Sequence, residues 1–407
     1  MKVTRRDFNK AGIGALSLAA LGGGNALAAP DPLIRKAIPS SGELVPVIGL
    51  GTNRYGVGDD AGKRALLRAA LMRFRELGGT VIDTAPMYRS SEAVLGDLIA
   101  DLAIRDDLFI ATKADEEPGG DATDAQMRES QRRLQTGSFD LMQVHNLRGT
   151  REALARMREW RRDGRIRYIG ITTSRSAQYE EFEKVMRSEE LDFIQINYSL
   201  EQREAAERIL PLAADRGVAV MINRAFGGGR IFEAVGDAPL PGWAQEFGCR
   251  SWAQFLLKYV IGHPAVTLSI PGMTKVHHVD DSFGAAHGRL PDGGERKRQE
   301  AFFDAVKLLK PLVKKAPEAL SLQFRLGMNA SKTGDMALAE SALLSALSCS
   351  EHAAQASLNL GHVYKAMGDT EKAAAYYHDY IRLAPSQQAT GYWSLADLKN
   401  YRFTEQD

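Results

Sequence analysis

Short apolar runs rich in β-branched residues recur along the first two thirds of the chain, separated by longer segments whose apolar positions repeat with helical period. The runs at Val47–Leu50, Thr80–Asp83, Leu108–Lys113, Asp140–His145, Tyr168–Thr172, Asp192–Asn197, Val218–Asn223 and Val266–Ile270 predict eight strands. They are nearly continuous in apolar character, as parallel strands covered on both faces must be. Gly62–Leu77, Thr150–Arg162 and Gln202–Arg216 are examples of the intervening helices. Eight strand–helix units in about 240 residues is the arithmetic of an α/β fold of the (β/α)8 TIM barrel type. A hairpin, Ile34–Ile38 turning at Ser40-Ser41-Gly42 into Leu44-Val45, precedes the first strand and could plug the barrel bottom. An open doubly wound sheet is the competing arrangement. No Gly-x-Gly-x-x-Gly follows an early strand, however, so its dinucleotide-binding form lacks the phosphate loop.

The pattern changes over Pro291–Lys315 to a charged helix, ending in Lys314-Lys315-Ala316-Pro317. Beyond it Leu326, Gly327, Gly334, Asp335 and Ala339 recur as Leu360, Gly361, Gly368, Asp369 and Ala373, each 34 positions on. That is the period and the small-residue pattern of tetratricopeptide repeats, in which Gly and Ala sit where two helices cross closely. Tyr392–Tyr401 predicts a final helix that caps the stack. Two repeats are few for a free-standing solenoid, so this all-α piece is expected to lean on the barrel or to dimerise.

The start of the chain follows neither pattern. Thr4-Arg5-Arg6-Asp7-Phe8-Asn9-Lys10 precedes a weakly apolar stretch, Ala11 to Leu21, and a small-residue site at Ala26-Leu27-Ala28. Paired arginines, a modest apolar core and an A-x-A site resemble a twin-arginine signal peptide, implying cleavage near Ala28 and a periplasmic mature protein. The apolar stretch is too short to span a bilayer, so no stable membrane insertion is expected after cleavage. The predicted organisation is a signal peptide over residues 1–29, a barrel over 33–310 and a repeat domain over 317–407.

Composition removes several function classes. With 52 basic and 51 acidic residues the formal charge is +1, which gives no electrostatic case for nucleic acid as a partner. The two cysteines, Cys249 and Cys349, exclude a disulfide framework. The histidines and cysteines show no zinc spacing, and no metal site is expected.

Chemistry is concentrated at strand ends. In a barrel, catalytic side chains project from the C-terminal ends of strands. Here Asp83, Lys113 and His145 end the second, third and fourth strands, and Tyr88 lies on the loop leaving the second. A phenol is normally too weak an acid at neutral pH to protonate a carbonyl oxygen. A neighbouring ammonium favours its phenolate, a carboxylate holds that ammonium in place, and an imidazole can orient the carbonyl.

The segment Val81-Ile82-Asp83-Thr84-Ala85-Pro86-Met87-Tyr88, continuing to Ser91-Glu92 and Leu95-Gly96, resembles the D-x-x-x-x-Y-x-x-S-E-x-x-L-G element of the aldo-keto reductase family. The resemblance covers roughly residues 33 to 290 and implies an NADP-dependent oxidoreductase with NADPH as cofactor. It maps that family's tetrad onto Asp83, Tyr88, Lys113 and His145, with Tyr88 as general acid. Gly51 and Thr52 resemble the loop under the nicotinamide. Pro271 and Gly272 resemble the turn opening the adenosine-phosphate site. Gln195 stands where the family binds the carboxamide; Gly227-Gly228-Gly229 is either a turn whose backbone can approach a pyrophosphate or a flexible loop, and Lys275 either a partner for a 2′-phosphate or a surface lysine. Three departures stand out: Asn223 and Arg224 where a stacking aromatic is common, Thr172-Thr173 where Ser-Asn is, and Asp281-Ser282 where Glu-Asn is. Arg224, if it points inward, would recognise an anionic substrate or the cofactor diphosphate. His277 and His278 read as surface residues.

Two functions follow. The first is reduction of a small-molecule carbonyl compound (aldehyde, ketone or quinone) to an alcohol. The second is a nucleotide-binding scaffold or regulatory protein that recruits a protein partner through its repeats. Export sits awkwardly with the first, because pyridine nucleotides are not freely replenished outside the cytoplasm. The twin-arginine route, which carries proteins already folded and often with cofactor on board, eases that conflict.

Overall fold

In the computed structural model, residues 31–115, 120–236, 240–315, 320–348 and 351–398 are described. The signal-peptide segment, Ala316 and Pro317, Cys349 and the end of the predicted Tyr392–Tyr401 helix lie outside them. Eight parallel strands form one sheet: β3 (Leu50–Gly51), β4 (Val81–Asp83), β5 (Phe109–Ala114), β6 (Phe139–His145), β7 (Ile166–Thr172), β8 (Phe193–Asn197), β9 (Ala219–Asn223) and β10 (Leu268–Ser269). Neighbours in sequence are neighbours in space. Parallel bridges Ile48↔Ser269 and Gly51↔Gly272 join the last strand to the first and close the barrel. The first strand is thus shorter and later than the predicted Val47–Leu50. Gly51 is needed at the seam, where a Cβ would sit 2.6 Å from the Ile270 carbonyl oxygen.

Each barrel strand alternates between two apolar environments, which is why the sequence shows continuous runs. Ile82, Ile110, Met142, Ile169 and Ile194 join the core beneath the outer helices. Val81, Phe109, Leu141, Tyr168, Phe193 and Met221 fill the barrel interior, with the Phe109 and Tyr168 rings stacked at 5.8 Å. The hairpin strands β1 (Arg35–Ala37) and β2 (Leu44–Pro46) pair antiparallel, and Ile38 and Val45 join that interior cluster. The hairpin therefore plugs one end.

The outer helices are α1 (Ala61–Glu76), α2 (Ser91–Leu102), α3 (Gly120–Leu134), α4 (Thr150–Arg162), α5 (Tyr179–Ser188), α6 (Ala205–Asp215), the short α7 (Arg230–Val235), α8 (Trp252–Ile261) and α9 (Val276–Gly284). Side-chain caps start α1 at Asp60 and α8 at Ser251. Cys249 is buried and free, and burial pushes its thiol up to about 12.

The charged helix α10 (Gly293–Lys315) leads into five more: α11 (Leu320–Thr333), α12 (Met336–Ala346), α13 (Ala353–Met367), α14 (Thr370–Leu383) and α15 (Gln388–Ala396). The repeated residues do repeated work. Gly334 and Gly368 turn the chain at φ +85° and +82°, and Asp335 and Asp369 then cap α12 and α14. A Cβ on Gly327 would lie 2.6 Å from Leu343, and one on Gly361 2.2 Å from Tyr377, so both glycines mark close helix crossings. The repeats lean on the barrel. Leu338 packs against the barrel core, and Arg298 of α10 donates to the Thr333 carbonyl at 3.0 Å while lying 4.2 Å over the Trp243 ring. Among the described residues no helix is long and apolar enough to cross a membrane.

Candidate active site

The inward-facing positions of the strands change character along the barrel. Val81 is followed two residues on by Asp83, Ala111 by Lys113, Gln143 by His145, Phe193 by Gln195 and Met221 by Asn223. The closed end is apolar and the C-terminal end polar, and there a cavity of about 480 Å³ opens. Its wall includes Thr52, Asp83, Tyr88, His145, Gln195 and Asn223.

Lys113 Nζ donates to both carboxylate oxygens of Asp83 at 2.8 Å and to the Thr84 carbonyl at 2.7 Å. Both residues are fully buried, Lys113 at 1% and Asp83 at 2% exposure. Burial alone would lower the Lys113 pKa, but Asp83 and Tyr88 outweigh it and hold the ammonium above its ordinary value. Its Nζ lies 5.1 Å from the centroid of the Tyr88 ring. Burial pushes the Tyr88 phenol up, the Lys113 charge pulls it back down and Asp83 raises it, leaving it above the usual value. The phenol is therefore a protonated acid at rest, and Arg224 adds to the downward pull.

His145 meets Tyr88 edge to face, with centroids 6.3 Å apart. Its Nδ1 lies 3.0 Å from Oδ2 of Asp115, a buried residue that Arg148 also reaches at 3.4 Å. Sequence reasoning missed Asp115. It lies two residues past Lys113 on the same inward register, and that spacing was the available signal.

The rest of the D-x-x-x-x-Y-x-x-S-E-x-x-L-G element builds scaffold. Ser91 donates to the Thr52 carbonyl at 2.8 Å, and buried Glu92 accepts from Thr112 and Ser130. Gly96 lets α2 cross α3, since a Cβ there would lie 2.2 Å from the Arg133 carbonyl oxygen. Among the described residues, four of the six non-glycine residues with positive φ follow active-site positions: Arg89, Asn146, Leu147 and Arg224. Such backbone is held where surrounding structure over-determines it.

Comparison with known proteins agrees with this geometry: residues 47–294 match the Aldo/keto reductase family. The chain belongs to that family. Methylglyoxal reductase YeaE of Escherichia coli (strain K12) is 29% identical over 255 residues, spanning 61% of this chain and 88% of that one. An aldo/keto reductase from Klebsiella pneumoniae in complex with NADP and acetate superposes with a TM-score of 0.55 at 28% identity, over 64% of this chain and 93% of the other. Another from Klebsiella pneumoniae, in complex with NADPH, gives 0.57 at 27% identity, over 67% and 96%. Residues 354–387 match the tetratricopeptide repeat.

In this aldo/keto reductase the remaining predicted residues separate into two groups. Gly51, Thr52, Thr172, Gln195, Asn223, Arg224, Pro271 and Gly272 line the cavity together with the tetrad members Asp83, Tyr88 and His145. Gln195 is already engaged, donating to Asp83 at 2.7 Å and accepting from Thr172 at 3.0 Å. Asn223 donates to the Thr173 carbonyl at 3.3 Å, and its Oδ1 is buried without a partner. The others do not line it. Thr173 donates to Gln178 at 2.6 Å, and a Cβ on Gly227 would lie 2.7 Å from Glu201 and 3.3 Å from Ile231. Asp281 accepts from Ser251 at 2.6 Å and Gln254 at 2.9 Å, tying α9 to α8, and Ser282 is buried in α9. Lys275 is exposed at the start of α9. His278, expected on the surface, is half-buried and forms part of the cavity wall. It sits in the first turn of α9, and Thr274, just before that helix, lines the cavity with it.

Proposed function

We propose that this chain reduces the carbonyl group of an aldehyde, ketone or quinone to an alcohol, with NADPH as reductant and Tyr88 as general acid. The observation that carries the reading is the Asp83–Lys113–Tyr88 arrangement beside His145 at the open end of the barrel. Two features of the cavity suit a nicotinamide dinucleotide. Asn223 Oδ1 is a buried acceptor with no partner, matching a carboxamide NH₂. A Cβ on Gly228 or Gly229 would meet nothing within 4 Å, so this turn leaves its backbone open to a phosphate. The Klebsiella pneumoniae relatives bound to NADP and NADPH support the choice of cofactor.

NADPH, when bound, supplies the hydride that the carbonyl carbon accepts. This chain's own residues handle the oxygen. His145 orients it through the ring nitrogen left free by Asp115, and Tyr88 passes its proton to it as negative charge develops. Lys113 stabilises the resulting phenolate, and Asp83 keeps that ammonium charged and aimed.

Export by the twin-arginine route to the periplasm belongs to the same proposal and rests on Arg5-Arg6 and Ala26-Leu27-Ala28. A reporter fused to the first thirty residues should be exported, and Arg5-Arg6→Lys-Lys should stop it. The activity test is NADPH oxidation by the protein from about Ala29 onward against aldehydes, ketones and quinones. Turnover lost in Tyr88→Phe, with NADPH binding retained, is the expected result. A second reading, recruitment of a protein partner through the repeats, is favoured by Trp393, which is 77% exposed beside Tyr392 on α15. NADPH binding without turnover of any substrate would move the balance towards it.

A further inference from the structure

Two arginines on the cavity wall have no counter-ion. Arg54 lies on the loop after β3 and Arg224 on the loop after β9; both line the active-site cavity and both are exposed. Among the described residues neither side chain makes an ion pair or a hydrogen bond. Several other arginines on this barrel are matched, among them Arg64 with Asp97, Arg73 with Asp280, Arg203 with Asp304 and Arg289 with Glu295. Glu201, an acid beside Gly227 in the β9 loop, is already taken, held by Arg230 and Lys307 at 3.2 Å each. Asp83, the one carboxylate among the described residues of the cavity wall, is neutralised by Lys113. The cavity thus carries two uncompensated positive charges in a chain whose formal charge is only +1.

The backbone points the same way. Arg224 adopts φ 51°, a left-handed conformation in which Gly or Asn would be less strained than Arg. Three glycines follow at Gly227, Gly228 and Gly229, so flexible residues are at hand in this turn, yet an arginine occupies its first left-handed position. Arg224 is also close enough to Tyr88 to favour its phenolate, which puts the guanidinium near the phenol that protonates the carbonyl oxygen.

We propose that Arg224, assisted by Arg54, binds a carboxylate of the substrate, so that this enzyme prefers oxo acids to neutral carbonyl compounds. The inference rests on the reductase reading above. The planar guanidinium fork suits a carboxylate, and fixing that group positions the carbonyl against Tyr88 and His145. In the step itself the carbonyl carbon gains a hydride from NADPH and the oxygen gains the Tyr88 proton. The products are a hydroxy acid and NADP⁺. The same guanidinium chemistry would serve a cofactor phosphate, and the test separates the two sources.

The probes are pyruvate, succinic semialdehyde and 4-carboxybenzaldehyde, each against its methyl ester, with direct titration of 4-(hydroxymethyl)benzoate into the NADP⁺-loaded protein. The acids should have kcat/KM about 10-fold or more above their esters. Arg224→Met should remove most of that preference by raising the KM of the acids far more than that of the esters, should not weaken NADPH binding, and should abolish binding of the hydroxy acid. Arg224→Lys should restore part of it, and Arg54→Met should show a smaller loss of the same kind. Acids and esters turned over equally would overturn the inference while leaving the reductase reading standing. So would Arg224→Met weakening NADPH binding as much as it weakens acid turnover, which would assign the arginine to the cofactor. Arg224-dependent binding of the hydroxy acid with no turnover of any carbonyl would do the reverse, keeping the anion site and ending the reductase reading.

Discussion

His145 Nδ1 lies 3.0 Å from Asp115 Oδ2, and this contact fixes which nitrogen of the ring faces the cavity. An ionised carboxylate only accepts hydrogen bonds, so Nδ1 must donate, and Nε2 is left for the substrate. Asp115 is buried and does not line the cavity, so it acts through His145. Asp115→Asn should lower kcat by roughly 10- to 100-fold, as loss of an orienting partner does elsewhere, with NADPH affinity unchanged. A fall in Tm without a kcat effect would reduce Asp115 to a structural role.

Burial keeps the Tyr88 phenol protonated, with Lys113 only partly offsetting it. Its folded pKa lies above the ordinary value of about 10, so the acid form persists through neutrality and is lost only on the alkaline side. The rate of carbonyl reduction should show no loss of this proton between about pH 6 and pH 9, and should fall above about pH 10. Pre-steady-state rates across that range would show it. A decline centred near neutrality would mean another group is the acid.

Lys113→Met should destabilise strongly, by about 3–5 kcal/mol, because it leaves Asp83 charged, buried and unpaired. Urea titration measures the loss. The double change with Asp83→Leu should be less harmful than the single one, since it removes the stranded charge.

His263 accepts a hydrogen bond at Nδ1 from the Ala265 N–H, and burial, with Arg296 and Lys36 nearby, lowers it from 6.5 to about 4. Its folded pKa is depressed, so its contribution is complete above about pH 6.5 and is lost as the pH falls towards 4. Partial exposure reduces the full linkage effect to about 1–2 kcal/mol. Urea midpoints at pH 7 and pH 4.5 should differ less in His263→Gln than in the native protein.

Gly334 and Gly368 share one conformation but not one environment. A Cβ on Gly334 would lie 2.0 Å from Arg298 Nη2, whereas one on Gly368 meets nothing within 4 Å. Gly368→Ala should cost only the left-handed backbone penalty, about 1–2 kcal/mol. Gly334→Ala should cost more and speed hydrogen exchange in α11 and α12, because it also displaces the arginine that ties the repeats to the barrel. Equal effects would show that the contact does not hold the repeats in place.

Much of the site was legible because chain order carries it. Asp83, Lys113 and His145 each end a run, and parallel strands joined by short crossovers must bring consecutive ends together. Asp115 was legible only as a position on the inward register two residues past Lys113; nothing local marks it as the partner of an imidazole 30 residues away. Nor was it legible that the Asp281 carboxylate accepts from Ser251 and Gln254, which lie on another helix.

The sequence by itself determined the barrel, the order of its strands, the gathering of Asp83, Lys113 and His145 at strand ends and the 34-residue repeats with their small residues. These follow from local rules: apolar periodicity, strand-end placement and a fixed repeat period. Tertiary structure decided what depends on contacts between distant segments. It closed the barrel through Gly51 and Gly272, seated the hairpin under Tyr168 and Phe193, and docked the repeats through Arg298. It also left Arg54 and Arg224 without acids on the cavity wall. Whether a charge is paired depends on which surfaces meet, and only the folded chain brings those surfaces together.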